Sequence, residues 1–276
     1  MKFINYQIVL FLAIFANSVF ADWHLIWQDE FNSNHLNESE WTFQVGTGDG
    51  GWGNHELEYY TNNRHENTRV ENGHLVIDVR VEDFQGSHFT SARLNSRRAW
   101  TYGKFEARAR LPSGHNLWPA IWMMPRDSKY GVWAASGEID IMELRGDKPH
   151  EIMGTIHYGG SWPNNIFHGS GERYYPQDFS QDYHTFAVEW DRNSIKWLLD
   201  NNVYHEENIN RIMWSGKGSN PYHANGQPFD QPFYWILNVA VGGNFFGNGP
   251  YVSPGEARGW AKHTMEVDYI RVYQWR

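Results

Sequence analysis

Apolar and polar residues alternate along most of this chain, and this two-residue period limits its fold more than any other feature. In residues 75–82 the odd positions are apolar and the even positions mostly polar, and residues 104–111 repeat the pattern. Successive side chains of a β-strand point to opposite faces, so each segment is predicted to be a strand with one face in solvent. No amphipathic helical pattern longer than three turns accompanies them. The chain is therefore predicted to be all-β.

Further alternating or continuously apolar segments follow, and turn-forming clusters such as residues 191–193 and 242–244 separate them. The other predicted strands span residues 117–124, 137–144, 153–158, 184–190, 194–199, 232–241 and 264–275. Many short strands without a repeat period predict one antiparallel β-sandwich of two sheets. We expect this sandwich to form a single domain over residues 22–276.

The first 21 residues, MKFINYQIVLFLAIFANSVFA, form a separate unit. Lys2 precedes an apolar run over residues 8–15, and Val19-Phe20-Ala21 fits the small-residue pattern of a signal-peptide cleavage site. The run is shorter than the roughly 20 apolar residues of a membrane-spanning helix, which disfavours a membrane anchor. We therefore expect a secreted, extracellular protein whose mature chain begins at Asp22 and makes no further contact with a membrane.

Composition narrows the class of ligand. The chain has no cysteine, so an exported protein of this kind must be stabilised by its core without disulfides. Its 32 acidic against 23 basic residues give a formal charge of −9, which disfavours a nucleic-acid partner. Aromatic rings outside the core can stack on the C–H faces of sugars, and 15 Trp, 15 Tyr and 16 Phe are available. A neutral saccharide is the simplest expected ligand.

Three carboxylates interrupt the apolar segment GEIDIME, at Glu138, Asp140 and Glu143. On a regular strand Glu138 and Asp140 share one face and Glu143 falls on the other. A β-bulge around Ile141-Met142 would return Glu143 to the first face, and bulges are common beside active sites. Two glutamates there, with carboxyl groups about 5–5.5 Å apart, would suit a retaining glycosidase, and such close like charges would keep one carboxyl protonated near neutral pH. On this pattern alone, a solvated edge strand or a calcium site stays open.

The same segment resembles the active-site signature of glycoside hydrolase family 16, in the Glu-x-Asp-x-x-Glu form of its laminarinase-type β-1,3-glucanases. Six further motifs resemble the family, in order, over nearly the whole mature chain: LIWQDEF, GGWGNHELEYYT, NLWPAIWMMP, GTIHYGG, VAVGGNFFG and VDYIRVYQ. The resemblance implies a β-jelly-roll sandwich with a sugar-binding cleft on its concave sheet. It also implies an endo-β-1,3-glucanase that acts on laminarin-type glucans without a catalytic cofactor, and we expect a monomer.

The resemblance implies a role for each acid. Glu138 would be the nucleophile, Glu143 the general acid and base, and Asp140 a hydrogen-bond partner that tunes Glu138. Some relatives have lost the glutamates and only bind, so a non-catalytic β-1,3-glucan-recognition protein is one alternative. Another is the same chemistry on mixed-linkage β-1,3-1,4-glucan or a galactan. The extra residue between Asp140 and Glu143 weighs against lichenase-type specificity.

Seven further residues are candidate sugar contacts, and the rest of GGWGNHELEYYT adds Glu56 and Tyr60 as weaker ones. Four residues apart on a strand, Trp118 and Trp122 share a face and would form either a sugar platform or core. Trp133 lies in a predicted loop rim, which favours stacking on substrate. The remaining contacts are implied by the resemblance. They are His157 on a catalytic carboxylate, and Asn54, Arg93 and Asn244 on sugar. The pattern alone is typical of a structural histidine for His157, a solvated strand residue for Arg93 and a turn residue for Asn244.

The resemblance also implies a structural calcium ion away from the catalytic carboxylates. Its oxygen ligands would come from Glu30, Gly73 and Asp268, a carboxylate and carbonyl set that suits a hard cation. The sequon Asn37-Glu38-Ser39 would carry a glycan if the source is eukaryotic.

Overall fold

The computed structural model describes residues 21–247 and 251–276. The predicted signal peptide lies outside the described residues, apart from Ala21. The strands, in chain order, are β1 Trp23–Asp29, β2 Trp41–Phe43, β3 Glu58–Tyr60, β4 Thr68–Glu71, β5 His74–Asp78, β6 Arg80–Phe84, β7 Ser87–Ser91, β8 Arg93–Ser96, β9 Gly103–Arg110, β10 Leu117–Pro125, β11 Glu138–Glu143, β12 Glu151–Tyr158, β13 Ile166–Gly169, β14 Arg173–Tyr174, β15 His184–Trp190, β16 Ser194–Leu199, β17 Asn202–Asn208, β18 Phe233–Val241 and β19 Thr264–Trp275.

Helical structure in the described ranges is confined to short turns. They are Gly51–His55, Asn244–Phe246 and one α-helical turn, Pro254–Ala257, which Ser253 and Glu256 cap reciprocally. None of these turns is long and apolar enough to cross a membrane.

Two large antiparallel sheets make up the sandwich. The first sheet has the order β17-β16-β15-β9-β19-β5-β4, with β1 also paired to β19. The second has the order β13-β12-β11-β10-β18-β8-β2, with β14 also paired to β12. A small third sheet, β3-β7-β6, contains a parallel pair between β3 and β7. The predicted all-β antiparallel sandwich is confirmed.

The apolar positions of the facing strands meet in one core. In β9 the alternate residues Phe105, Ala107 and Ala109 are fully buried, as the period-two pattern predicts. In β10 the odd residues from Leu117 to Met123 are buried in the same way, so Trp118 and Trp122 lie on the outward face of the second sheet. The outward face of β10 and its neighbours is where the polar groups of the predicted site gather.

One predicted strand is divided between two sheets. Residues 75–82 separate at Val79 into β5, in the first sheet, and β6, in the small sheet. Val79 is buried, and its backbone N–H donates to the carbonyl of His263. Asp78, predicted to face solvent, is also buried, between Arg69 and His263. The prediction of one strand was wrong here because alternation continues through a change of hydrogen-bonding partner.

Trp197 of the first sheet supports the second sheet across the core. Its indole Nε1 donates to the backbone carbonyl of Asp140 at 2.8 Å, and the side chain is fully buried. Gly154 of β12 leaves the room for this ring, since a Cβ there would lie 2.1 Å from Trp197 Cδ1. A hydrogen bond from the opposite sheet thus supports the irregular part of β11.

Replacing Trp197 by phenylalanine is expected to lower the free energy of unfolding by about 1–3 kcal/mol beyond the packing loss, because a buried carbonyl loses its donor. Trp190→Phe is the matched control, since Trp190 is equally buried but its indole N–H has no partner. Denaturant unfolding of both variants measures the difference. Equal losses would contradict a special contribution from the Trp197 hydrogen bond.

Candidate active site

A β-bulge in β11 brings the three carboxylates to one face. Trp122 of β10 is opposite Asp140, but Ile121, one residue away, is opposite Met142, so β11 contains one extra residue. The other neighbour shows the same shift, because three steps along β11 from Asp140 to Glu143 correspond to two along β12. The predicted bulge is confirmed, and the side chains of Glu138, Asp140 and Glu143 share the outward face.

Glu138 lies between an indole donor and a histidine. Trp133 Nε1 donates to Glu138 Oε2 at 2.7 Å, and His157 Nε2 lies 3.7 Å from Glu138 Oε1. Burial raises the pKa of Glu138, whereas the positive charge of His157 and the Trp133 hydrogen bond act in the opposite direction. These two partners favour the carboxylate form that a nucleophile requires.

Asp140 and His157 form an ion pair beside Glu138. The distance from His157 Nε2 to Asp140 Oδ2 is 3.4 Å, and Asp140 is almost fully buried. Burial and the charge of Glu138 raise the pKa of Asp140 to about 7. Burial alone would lower the pKa of His157, but its contacts with Asp140 and Glu138 outweigh this effect and raise it to about 9. His157 is therefore a cation at neutral pH and compensates the charge of this carboxylate pair.

Glu143 lies farther along the same face with a different environment. Its Oε1 accepts a hydrogen bond from Trp118 Nε1 at 3.0 Å, and Trp118 stacks on Phe245 with ring centroids 4.5 Å apart. Burial and the charge of Asp140 raise the pKa of Glu143 to about 8. Glu143 thus keeps its proton near neutral pH, as a general acid must.

The Trp118 hydrogen bond lowers the pKa of Glu143, so removing the donor is expected to raise that pKa. Trp118→Phe keeps a ring against Phe245 but has no N–H. We expect the alkaline limb of the kcat/KM profile, which follows loss of the acid's proton, to shift to higher pH. Trp122→Phe is the control, because its N–H donates to Asn238 instead. An alkaline limb that stays in place or moves to lower pH in Trp118→Phe would contradict this prediction.

Arg93 is buried between two tryptophans at one flank of the candidate active site. Its guanidinium carbon lies 4.5 Å from the ring centroid of Trp52 and 4.8 Å from that of Trp122. Arg93 Nε donates to Gln44. The pattern-based interpretation as a solvated arginine was wrong, because Trp52 reaches over it from a distant loop. Trp122 lies on the outward face, partly exposed, so it is not a core residue.

A chain of hydrogen bonds connects Trp122 to the loop that carries Asn54. Trp122 donates to Asn238 at 2.7 Å, Asn238 donates to the Tyr60 hydroxyl at 3.0 Å, and Tyr60 donates to Glu56 at 3.0 Å. Asn54 then donates to the same carboxylate at 3.3 Å. Sequence reasoning missed Asn238, although a lone polar residue in the apolar strand FYWILNVAV was a usable signal.

Asn244 lies beside this loop, not beside the carboxylates. It is exposed, and its side-chain oxygen is 3.0 Å from His55 Nδ1. Of the seven candidate sugar contacts, Trp118, Trp133 and His157 contact the three acids directly. Trp122 and Arg93 pack together at one flank, and Asn54 and Asn244 lie at the loops beyond it.

The predicted calcium ligands have other partners. Arg271 donates to both carboxylate oxygens of Glu30, at 2.8 and 2.9 Å, and Arg108 donates to Asp268 at 2.6 Å. Gly73 lies at the turn before His74, whose Nε2 is 3.7 Å from Asp268. A calcium ion bound by this set would have to displace both arginines from the carboxylates.

One other group has the ligand types of a metal site. Ligand atoms of Glu138, Asp140 and His157 lie within 4.8 Å of one another, and no second cluster of this kind occurs in ranges 21–247 and 251–276. The attraction between the His157 cation and the carboxylates of Glu138 and Asp140 is sufficient to explain this cluster.

Comparison with known proteins identifies the family. The sequence profile described as "Glycosyl hydrolases family 16" matches residues 55–228, more than half of the chain. This chain belongs to glycoside hydrolase family 16. Its relatives include a "Glucan endo-1,3-beta-glucosidase" from Cryptopygus antarcticus, 47% identical over 281 residues and covering 100% of both chains. A "Beta-glucanase" from Rhodothermus marinus is 41% identical and covers 92% of this chain and 86% of its own.

Solved structures of family 16 members agree. The X-ray structure of the laminarinase from Rhodothermus marinus matches with a TM-score of 0.79 at 40% identity, covering 93% of this chain and 99% of that one. As a family 16 member, the chain is a glycoside hydrolase. The profile match includes the three carboxylates and His157, whereas Asn244 and Asp268 lie beyond it.

Proposed function

We propose that this family 16 hydrolase is a secreted, retaining endo-β-1,3-glucanase that cleaves laminarin-type glucans by double displacement. The observation that carries the proposal is the bulged strand β11, with Glu138, Asp140 and Glu143 on one face. Glu138 is contacted by a histidine cation, whereas Glu143 has a pKa of about 8. A retaining glycosidase needs one carboxylate whose partners favour ionisation, as His157 and Trp133 do for Glu138, and one carboxyl group that keeps its proton.

In the first step, Glu138 attacks the anomeric carbon of the sugar on one side of the scissile bond. The bond between that carbon and the glycosidic oxygen breaks, and Glu143 gives its proton to the leaving oxygen. The product is a covalent glycosyl ester on Glu138. Trp133 holds the attacking carboxylate in place through its 2.7 Å hydrogen bond.

In the second step, Glu143, now ionised, accepts a proton from water. The water oxygen attacks the anomeric carbon, the ester bond to Glu138 breaks, and Glu143 regains its proton. Two displacements at one carbon restore the original configuration. Asp140 and His157 position Glu138. The charge of His157 also offsets the carboxylate charge of Glu138, which is lost when the ester forms and returns when the ester is hydrolysed.

Named relatives support a β-1,3-glucan as substrate. The Cryptopygus protein is a glucan endo-1,3-beta-glucosidase by name, and structures of relatives include complexes with laminaritriose and laminaritetraose. A non-specific endo-beta-1,3(4)-glucanase at 36% identity keeps mixed-linkage glucan as a second substrate to be tested. A "Beta-1,3-glucan-binding protein" from Penaeus monodon, 35% identical over 67% of this chain, supports the non-catalytic alternative. The complete set of carboxylates weighs against that alternative.

Release of reducing sugar from laminarin, lichenan and a galactan by the purified mature chain tests the proposal. We expect the fastest release from laminarin. Faster cleavage of lichenan would show that mixed-linkage glucan is the preferred substrate. Binding of laminarin without release of reducing sugar would show that the protein is a non-catalytic glucan-binding protein. Size profiles of early products separate endo from exo action, since endo cleavage yields mixed oligosaccharides.

The remaining proposals concern processing and cations. We propose secretion with cleavage after Ala21, a single catalytic domain over residues 22–276, and a monomer. Amino-terminal sequencing of the exported protein and light scattering test them. Calcium at Glu30, Gly73 and Asp268 stays a prediction that the Arg271 and Arg108 contacts weaken. A melting temperature that is the same in excess calcium and in chelator would contradict the predicted calcium site.

A further inference from the structure

Aromatic side chains are exposed at the edge of the second sheet formed by β13, beyond His157. Phe167 of β13 is 68% exposed and Trp162, in the preceding loop, is 70% exposed. Neither contacts the three carboxylates, and neither is used in the mechanism above. Singly exposed apolar side chains are common on protein surfaces, whereas aromatic groups exposed beside a binding site can extend that site.

Phe167 lies on the same face as the acids. It is directly opposite His157 in the pairing of β12 with β13, and His157 is opposite Glu138 in the pairing of β11 with β12. Residues directly opposite each other share a face, so Glu138, His157 and Phe167 form one row across three strands. The Phe167 and His157 ring centroids are 5.7 Å apart. At about 4.8 Å per strand, the Phe167 backbone is roughly 10 Å from that of Glu138.

The loop that carries Trp162 is attached to the loop that carries Trp133. The backbone N–H of Trp162 donates to the carbonyl of Trp133 at 2.9 Å, and Ser161 Oγ donates to the carbonyl of Val132 at 3.3 Å. Trp133 in turn donates to Glu138. Trp162 and Phe167, which we call the aromatic shelf, are therefore each attached to the candidate active site, Trp162 through its backbone and Phe167 through its ring contact with His157.

Charge indicates what kind of ligand the shelf takes. Residues 159–171, GGSWPNNIFHGSG, contain no Asp, Glu, Lys or Arg, in a chain with a net charge of −9. The exposed polar side chain of the loop before Phe167 is the amide of Asn164, which hydrogen-bonds without a charge. His168 follows Phe167 on the strand and lies on the other face, against Tyr158. Flat rings, an amide and a segment without Asp, Glu, Lys or Arg suit a neutral saccharide better than a charged protein surface.

We propose that the aromatic shelf binds additional sugar residues of the same glucan chain, beyond those at the three carboxylates, and gives the enzyme its preference for long chains. This inference rests on the proposed function, because the ligand is the proposed substrate. The row from Glu138 through His157 to Phe167 runs across the strands and gives the direction that the bound chain follows on this side.

The test compares long and short substrates. Trp162→Ala, Phe167→Ala and the double variant are assayed for kcat/KM on laminarin and on laminaritetraose. Trp275→Ala is the matched control, a tryptophan 58% exposed on β19 of the first sheet. We expect a roughly fivefold to tenfold loss per ring on laminarin. On laminaritetraose the expected loss is smaller than on laminarin, because a tetrasaccharide does not extend over the shelf in every productive position, and the control should change neither substrate. Melting temperatures check that all variants are folded.

Binding measured in a Glu138→Gln background separates the two claims. Affinity electrophoresis with laminarin should show weaker retention when the shelf substitutions are added, whether or not the wild-type chain cleaves. A wild-type chain that cleaves no glucan overturns the proposed function. A chain that cleaves, with equal losses on both substrates or no loss on either, overturns the shelf. A shelf variant that changes only the oligomeric state would assign the surface to a second copy and also overturn it.

Discussion

Replacing Glu138 by glutamine is expected to reduce kcat on laminarin by roughly 10⁴-fold or more, because the amide cannot form the glycosyl ester. The change is almost isosteric, so the Trp133 hydrogen bond partner and the fold are kept. Glu106→Gln is the matched control. Glu106 is a buried glutamate on the outward face of the first sheet, where it pairs with Lys104 at 2.7 Å. The control should retain wild-type activity, and its loss would show that the assay reports general damage.

Rescue by azide distinguishes the nucleophile from a merely structural carboxylate. In Glu138→Gly, azide can occupy the vacated space and attack the anomeric carbon of an aryl β-glucoside oligomer. The bond to the aryloxide breaks, a carbon–nitrogen bond forms, and one displacement gives the α-glycosyl azide. In Glu143→Gly, azide replaces water in the second step and the product is the β-azide. Rescue with the β product from Glu138→Gly would contradict the assignment of Glu138.

Replacing Glu143 by glutamine is the second large effect, with an expected loss of about 10²–10⁴-fold in kcat on laminarin. The sugar leaving group needs a proton, and the amide side chain of this variant cannot supply one. An aryl substrate whose leaving group is a weak base needs little protonation, so its first step should be nearly unaffected. The second step still lacks its base, and the glycosyl ester on Glu138 should accumulate.

Mass spectrometry of the Glu143→Gln variant during turnover of the aryl substrate measures that ester directly. Its pH profile should also lose the alkaline limb that the raised pKa of Glu143, about 8, produces in the wild type. Equal losses on laminarin and on the aryl substrate, with no ester detected, would contradict the role of Glu143 as acid and base.

Much of the sandwich was predictable because period-two patterning is a local property. The predicted strands at 184–190, 194–199 and 264–275 coincide with β15, β16 and β19, and five others agree with observed strands within two residues. The short edge strands β13 and β14 were not found, since two to four residues carry too little periodicity. For that reason no sequence pattern indicated the aromatic shelf around Phe167.

The carboxylates were predictable for a related reason. Parity along one strand showed that Glu143 was out of phase with Glu138, and a bulge was the local way to correct it. The partners of these acids were harder to predict, because they come from distant segments. Trp52 over Arg93, and Asn238 under Trp122, depend on how β8, β10 and β18 are ordered in the sheet. Alternation within a strand contains no information about that order.

The central claim is that Glu138 and Glu143 together retain the anomeric configuration, and the anomer formed first tests it most directly. Proton NMR during the first minutes of laminarin hydrolysis, before mutarotation, resolves the new reducing ends. Double displacement predicts that the β anomer appears first and that the α anomer grows in later. If the α anomer appears first, the reaction inverts configuration, and the double displacement on Glu138 is wrong.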